Sequence, residues 1–258
     1  MFKENKSFWL AFVGIIVLFF LIFSVLRTGF TNNSIRLSGI LPFRLFNPSP
    51  KLYQPAKTNL DSKLDYEAII TTNFGDFTID LYEKNAPNTV SNFINLTNSG
   101  YYEKTTFYKL VPGLLIQGGS STTKNEDPND DIYGGPGYTI EDEINWDSVD
   151  YSPDLKASLT KAGYKSITKI ASRELIHYSV AMASNGPNTA GGQFFIVIAL
   201  NSDEGLNKLQ GRHTVFGGVT GGYQIFDQIA LSNVTNPESK LPRPISEIII
   251  NKITINTK

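Results

Sequence analysis

The run Ser184-Asn185-Gly186-Pro187-Asn188-Thr189-Ala190-Gly191-Gly192-Gln193-Phe194-Phe195-Ile196 sets a primary amide and two aromatic rings directly after a stretch of turn-forming residues. An amide donates and accepts hydrogen bonds at once, and an aromatic ring offers apolar area, so the combination suits a surface that holds a peptide. Gly186-Pro187-Asn188 punctuates the backbone as a turn, and Gly191-Gly192 permits close chain approach before the β-prone run from Gln193 to Ile198. Taken alone, the segment fits a plain loop ahead of a core strand equally well. Other chemistries find little footing. The chain contains no cysteine, which rules out thiol nucleophiles and disulfides. No nucleophile-base pair and no metal-ligand spacing is legible, so neither a metal nor a cofactor is expected.

Two further segments change the weighting. Phe107-Tyr108-Lys109-Leu110-Val111-Pro112-Gly113-Leu114-Leu115-Ile116-Gln117-Gly118-Gly119 precedes the first, and Leu209-Gln210-Gly211-Arg212-His213-Thr214-Val215-Phe216-Gly217 follows it. In order and spacing the three segments resemble the signatures of cyclophilin-type peptidyl-prolyl cis-trans isomerases, over about Tyr66 to Ile255. The resemblance implies a mainly β fold: a closed, eight-stranded antiparallel β-barrel capped by two α-helices. It also implies rotation about X-Pro bonds as the reaction. That rotation has a barrier of about 18–20 kcal/mol because amide resonance is broken, and it needs no covalent bond and no proton transfer.

The same resemblance distributes the roles. Phe195, Leu115 and Leu209 form the proline pocket, with His213 along its edge, while Gln117 and Gln193 offer amides to the peptide backbone. The backbone of Ser184, with Ala183 and Asn185 beside it, pairs with the extended substrate. Lys109, Gln117, Phe195 and His213 are thus the expected catalytic set. His213 is expected to act as a wall or hydrogen-bond donor, and His177 carries no motif. Three departures stand out. Lys109 replaces the family's arginine, whose planar fork addresses two acceptors at once, so activity is expected to be reduced. Lys208 stands where well-known members carry a tryptophan that contacts cyclosporin, which implies weak sensitivity to that inhibitor. Leu114-Leu115 replaces an aromatic-methionine pair, which keeps the pocket apolar and makes the chain resemble bacterial members more than animal ones.

The elements that must position these residues are partly legible. Ala68-Ile69-Ile70-Thr71-Thr72 and Phe77-Thr78-Ile79-Asp80-Leu81-Tyr82 flank the turn Asn73-Phe74-Gly75-Asp76 and predict a β-hairpin. Pro87 opens a helical pattern with Val90, Phe93, Ile94 and Thr97 on one face before Gly100. A second helix fits Gly222 to Leu231, and Ile245 to Ile255 reads as a closing strand. Strands do not alternate regularly with helices, which favours an antiparallel barrel over a parallel sheet.

An insertion spans about 145–178, with a helical stretch ending near Gly163; it reads either as a lip adding contacts through Trp146 and Tyr151 or as a tolerated surface loop. Gly134-Gly135-Pro136-Gly137-Tyr138 lacks the lysine and following helix of a phosphate loop and predicts a shaped turn beside the groove.

The N-terminal part has a different character. After a short tail at 1–7, residues 8–26 form a nineteen-residue apolar stretch without charge, long enough to cross a hydrocarbon core of roughly 30 Å. This predicts a transmembrane helix or signal anchor, with a cleaved secretory signal as the competing reading. Residues 27–64, with Pro42, Pro48, Pro50 and Pro55, read as a linker to a domain at 65–258. Basic residues flank both sides of the apolar stretch, and the expected orientation is a cytoplasmic N-terminus with a single-pass membrane anchor and an extracytoplasmic domain. A net charge of −1 and a pI near 6.1 leave no basic stripe for nucleic acid. The expected partners are proline-containing peptides and unfolded proteins, bound by a monomer. Two functions remain: an isomerase, or a catalytically weak prolyl-peptide-binding chaperone or scaffold.

Overall fold

The computed structural model describes residues 53–55, 60–61, 63–125, 127–201 and 203–258. The expected tail, membrane helix and most of the linker lie outside the described residues. Among those described, no helix is long and apolar enough to cross a membrane.

The predicted hairpin forms, with β1 (Tyr66–Thr72) paired to β2 (Gly75–Leu81) and Thr72 placed opposite Gly75. Strict alternation drives it. Tyr66, Ala68, Ile70 and Thr72 face inward on β1, as Phe77, Ile79 and Leu81 do on β2. The later strands are β3 (Thr105–Thr106), β4 (Lys109–Val111), β5 (Leu115–Gly118), β6 (Ser179–Met182), β7 (Phe194–Val197), β8 (Val215–Gly221) and β11 (Ile249–Thr257). They join the hairpin in one nine-stranded antiparallel sheet ordered β3-β11-β1-β2-β8-β6-β7-β5-β4. A separate pair, β9 (Val234–Thr235) and β10 (Arg243–Pro244), precedes β11 in sequence.

The expected closed, eight-stranded barrel is therefore corrected to a curled, open sheet of nine strands. No ladder joins its edges β3 and β4. Both edges belong to one chain stretch interrupted at Phe107 and Tyr108. Phe107 N–H bonds Ile248 O at 2.9 Å beside β11, and on β4 Leu110 N–H bonds Pro242 O at 2.9 Å.

The two expected helices are present as α1 (Pro87–Asn98) and α4 (Tyr223–Ala230). Between them in sequence lie α2 (Pro153–Lys161) and a single turn, α3 (Glu204–Asn207). Helix α1 begins with proline but has no side-chain cap of its own. The buried Glu143 carboxylate replaces it, accepting from Asn88 N at 3.0 Å, Thr89 N at 2.8 Å and Thr89 Oγ1 at 2.7 Å. A carboxylate on the free N–H groups of a first turn stabilises by about 0.3–2 kcal/mol through hydrogen bonding and the helix dipole.

Alternation along the strands divides the apolar residues between two faces. Ile116, Val180, Met182, Phe194 and Ile196 point into the main core with Phe93 and Phe216. Leu115, Ala181, Phe195 and Val197 point outward and form a second cluster with Leu175, Leu206 and Val215. The peptide-holding residues therefore stand on the outer face of a sheet whose inner face is packed with aromatic rings.

Candidate active site

The outer cluster opens into a groove of about 620 Å³. Its floor is β5 and β7, where register places Gln117 opposite Phe195 and Leu115 opposite Val197. Phe195 is almost wholly buried, and the His213 ring meets it edge-on at 5.1 Å and 89°. Leu115, Leu209, Ala183, Ser184 and Asn185 complete the apolar end and one rim, and Lys109 stands on the other. Two expected contact residues do not line this groove: Lys208 is exposed at the end of α3, and Leu114 packs against the outer cluster beside Gly205.

The two glutamines have different jobs. Gln193 Nε2 donates to Gly134 O at 2.7 Å and Ile132 O at 3.1 Å, while Gln193 Oε1 accepts from Tyr108 Oη at 2.6 Å and from Gln117 Nε2 at 3.0 Å. All four of its hydrogen-bonding positions are thus used within the protein. Gln117 Nε2 also donates to Tyr108 Oη at 2.6 Å, which commits both its N–H groups and leaves Oε1 as its remaining polar atom. Gln193, expected to address a peptide, also braces the groove through these bonds, and Gln117 keeps its Oε1 for an added donor. Tyr108, at the centre of this network, receives no role from the motif resemblance. Burial raises its phenol pKa, so the hydroxyl stays protonated and can donate and accept at once. Its position directly before Lys109 in a motif-rich segment is the signal in the sequence that points to it.

His213 is held as a neutral ring. Nδ1 lies 3.1 Å from the Met182 carbonyl, which can only accept, so the proton is assigned to Nδ1; Ser184 Oγ is 3.3 Å away. Burial is the main force lowering its pKa, to about 4, against the raising effect of the Met182 bond. Unfolding would restore the ordinary value of about 6.5. Between roughly pH 4 and 6.5 the unfolded chain binds a proton that the folded chain does not, so stability rises with pH in that window and this contribution is flat above it. Thermal melts across pH 4–8 should show this rise, and a His213→Gln variant should lose that part of the slope. Isomerase activity between pH 7 and 9 should show no titration of His213.

Lys109 is half-buried, and burial lowers its pKa. Its ammonium forms no ion pair or hydrogen bond with another described residue. An unpartnered, partly desolvated cation at the edge of an apolar pocket is suited to take a carbonyl or carboxylate acceptor.

The loops around the groove are held by their backs. Tyr102 Oη donates to Gly192 O at 2.9 Å, Asn92 Nδ2 donates to Gly191 O at 2.8 Å, and Asn92 Oδ1 accepts from Tyr138 Oη at 2.8 Å. A Cβ on Gly192 would lie 2.6 Å from Tyr101 Oη, so the close approach expected of this glycine pair is real. Gly134, Gly135, Pro136 and Tyr138 line the groove as the expected shaped turn.

No residue of the insertion lines the groove, and its aromatic residues turn inward. Trp146, Tyr151, Leu159 and Tyr164 form a third buried cluster behind the 209–213 loop instead of a lip. Tyr151 Oη donates to Gln210 Oε1 at 3.0 Å, and Gln210 clamps the backbone of Leu175 with bonds of 3.1 and 2.6 Å. Gly211, at φ +71°, lies so close that a Cβ would stand 2.5 Å from Leu159 Cδ1. The insertion therefore supports the loop that carries Leu209 and His213. Leu159→Ala should cost about 2–5 kcal/mol and lower Tm by roughly 5–15 °C, measured by calorimetry.

An open antiparallel sheet with an outward apolar pocket, an amide beside its floor and, among the described residues, an unpartnered cation on its rim is a site of the kind that suits an extended peptide. The family described as cyclophilin type peptidyl-prolyl cis-trans isomerase/CLD matches residues 68–255, and the chain belongs to that family. Peptidyl-prolyl cis-trans isomerase CYP18-2 of Arabidopsis thaliana is 33% identical over 184 residues, 71% of this chain and 90% of that protein. Peptidyl-prolyl cis-trans isomerase-like 1 of Aspergillus fumigatus is 34% identical over 184 residues, 71% and 91% of the two chains. Peptidyl-prolyl cis-trans isomerase-like 2 of Cryptococcus neoformans is 33% identical over 205 residues, 80% of this chain, which spans only 30% of that longer relative.

A crystal structure of a Cryptosporidium parvum cyclophilin type peptidyl-prolyl cis-trans isomerase superposes with a TM-score of 0.55 at 28% identity, covering 75% of this chain and 99% of that one. A crystal structure of that protein in the presence of the dipeptide Ala-Pro matches with a TM-score of 0.54. These relatives are eukaryotic, so the bacterial likeness read from the departures finds no support among them.

Proposed function

We propose that this chain catalyses cis-trans isomerisation of X-Pro bonds in unfolded or extended segments of exported or membrane-proximal proteins. The observation that carries this reading is the juxtaposition of the Phe195, Leu115, Leu209 and His213 pocket with Gln117 and the unpartnered Lys109 ammonium in one groove. The pocket grips the proline ring while the preceding carbonyl turns. As the bond twists, the proline nitrogen becomes pyramidal and gains a lone pair, and Lys109 supplies the donor that favours this state over the planar one. Gln117 Oε1 accepts from a peptide N–H and fixes the strand direction. His213, neutral, shapes the wall and transfers no proton.

The test is exchange spectroscopy on a short X-Pro peptide with the full chain in a non-ionic detergent at substoichiometric concentration. Exchange well above the uncatalysed rate supports the isomerase; peptide shifts without faster exchange support a second reading, a prolyl-peptide-binding chaperone or scaffold. Lys109 in place of the family arginine favours that alternative, because an ammonium addresses acceptors without a planar fork.

The cellular setting belongs to the same proposal. Residues 8–26 anchor a monomer in the membrane, and the domain lies on the outer side. Retention of the protein in carbonate-washed membranes and its digestion by protease added to intact spheroplasts are expected; release by carbonate or protection from protease would refute the anchor or the orientation respectively.

A further inference from the structure

The ionised side chains lining the groove are not evenly distributed. Among the described residues they are Lys109 and Lys240, and no carboxylate lines it. The chain as a whole carries a net charge of −1, so two uncompensated cations in one groove do not reflect a generally basic surface.

Topology puts both cations on one rim. Strands run β6-β7-β5-β4 across the site, with Phe195 on β7 and Gln117 on β5 as floor. On the opposite rim the lining residues Ser184, Asn185 and His213 are uncharged, and Arg212 next to them lies over the Tyr164 ring instead of lining the groove. Lys109 lies on β4, and the Leu110 N–H donates to Pro242 O at 2.9 Å, which holds the segment carrying Lys240 alongside that same strand. Neither ammonium has an ion-pair or hydrogen-bond partner among the described residues. The nearby Asp131 is already paired with Arg243, and Asp142 accepts from Asn188 N at 2.8 Å.

From this we infer that the preferred substrates are acidic peptides, with Asp or Glu following the proline, drawn to Lys240 while the nearby Lys109 adds to the positive potential and keeps its ammonium for the proline. The inference rests on the isomerase reading above and adds a peptide direction to it: residues before the proline pair along the Ala183 to Asn185 rim, and those after it cross toward β4. An acidic side chain there meets the exposed Lys240 beside the half-buried Lys109, and opposite charge raises both encounter rate and residence. A basic one is repelled by both.

The experiment compares acetyl-Ala-Ala-Pro-X-Ala-amide with X as Glu, Gln or Lys, using the full chain in non-ionic detergent. Both Kd from NMR titration and exchange rate are read, at low and at high salt. The expected order is Glu, Gln, Lys, with Glu and Lys separated by about tenfold at low salt and the gap closing as salt screens it. Lys240→Glu should abolish or invert the order. Equal values for the three peptides at low salt, an order insensitive to Lys240→Glu, or no binding of any peptide would overturn the inference. Binding in the expected order without accelerated exchange would sustain the charge preference while refuting the isomerase reading, so the two failures are distinguishable.

Discussion

In a Phe195→Ala variant, kcat/KM for prolyl isomerisation is expected to fall by about 10- to 100-fold, because burying a proline ring against this aromatic floor is worth about 1.5–3 kcal/mol. Phe195 is 2% exposed and forms the floor of the groove, edge-on to His213 and opposite Gln117. Its removal takes away the aromatic surface against which the proposed proline ring packs. It also opens a cavity in the outer cluster, so a stability loss of about 3–5 kcal/mol is expected alongside. The two effects separate by measurement. Calorimetry gives the change in stability, and exchange spectroscopy at a temperature where the variant is folded gives the change in catalysis. Phe195→Leu, which refills much of the volume, should recover stability more fully than rate. Wild-type peptide affinity and turnover in folded Phe195→Ala would remove Phe195 from the site.

Lys109→Arg should act in the opposite direction, raising kcat by about tenfold or more if a second well-placed donor supplies about 1.4 kcal/mol in the twisted state. The position is favourable because the ammonium is half-buried and has no ion-pair partner among the described residues, so a guanidinium displaces no ion pair there. Single-turnover exchange rates with KM measured in parallel decide the matter. A gain in kcat with KM little changed means that the missing fork limits the transition state. An unchanged rate would mean that the lysine already supplies what the reaction needs, and would remove the main support for a binding module.

Much of the scaffold is legible in the sequence because alternation and helix signals agree locally. The hairpin at 66–81, the helix opened by Pro87 and the helix around Phe226 all follow from period and punctuation. Closure of the sheet is not legible, since whether β3 and β4 pair depends on the path of two residues, Phe107 and Tyr108, that local pattern does not fix.

The pocket residues follow from motif resemblance, and Phe195, Leu115, Leu209 and His213 do share one groove. Hydrogen-bond allegiance is harder to read. A glutamine in a motif is equally able to face a ligand or a neighbour, and only the distances around Gln193 show that the protein has already used it. The insertion is opaque for a related reason: Trp146 and Tyr151 are amphipathic, and sequence does not tell an aromatic aimed outward from one buried under Gly211.

The placement of β11 between β3 and β1 sets an order of assembly. Its residues, Ile249–Thr257, come after every other strand in the chain, yet they pair along the whole of β1, from Tyr66 opposite Thr257 to Thr72 opposite Ile250. During synthesis β1 and β3 therefore emerge with unpaired edges and wait for their common neighbour until every other strand has been made. Such long-range pairing is slow, because the loop entropy is spent before the contacts form. The sheet is thus completed only after β11 leaves the ribosome, and until then β1 and β3 each present an open edge to whatever lies nearby.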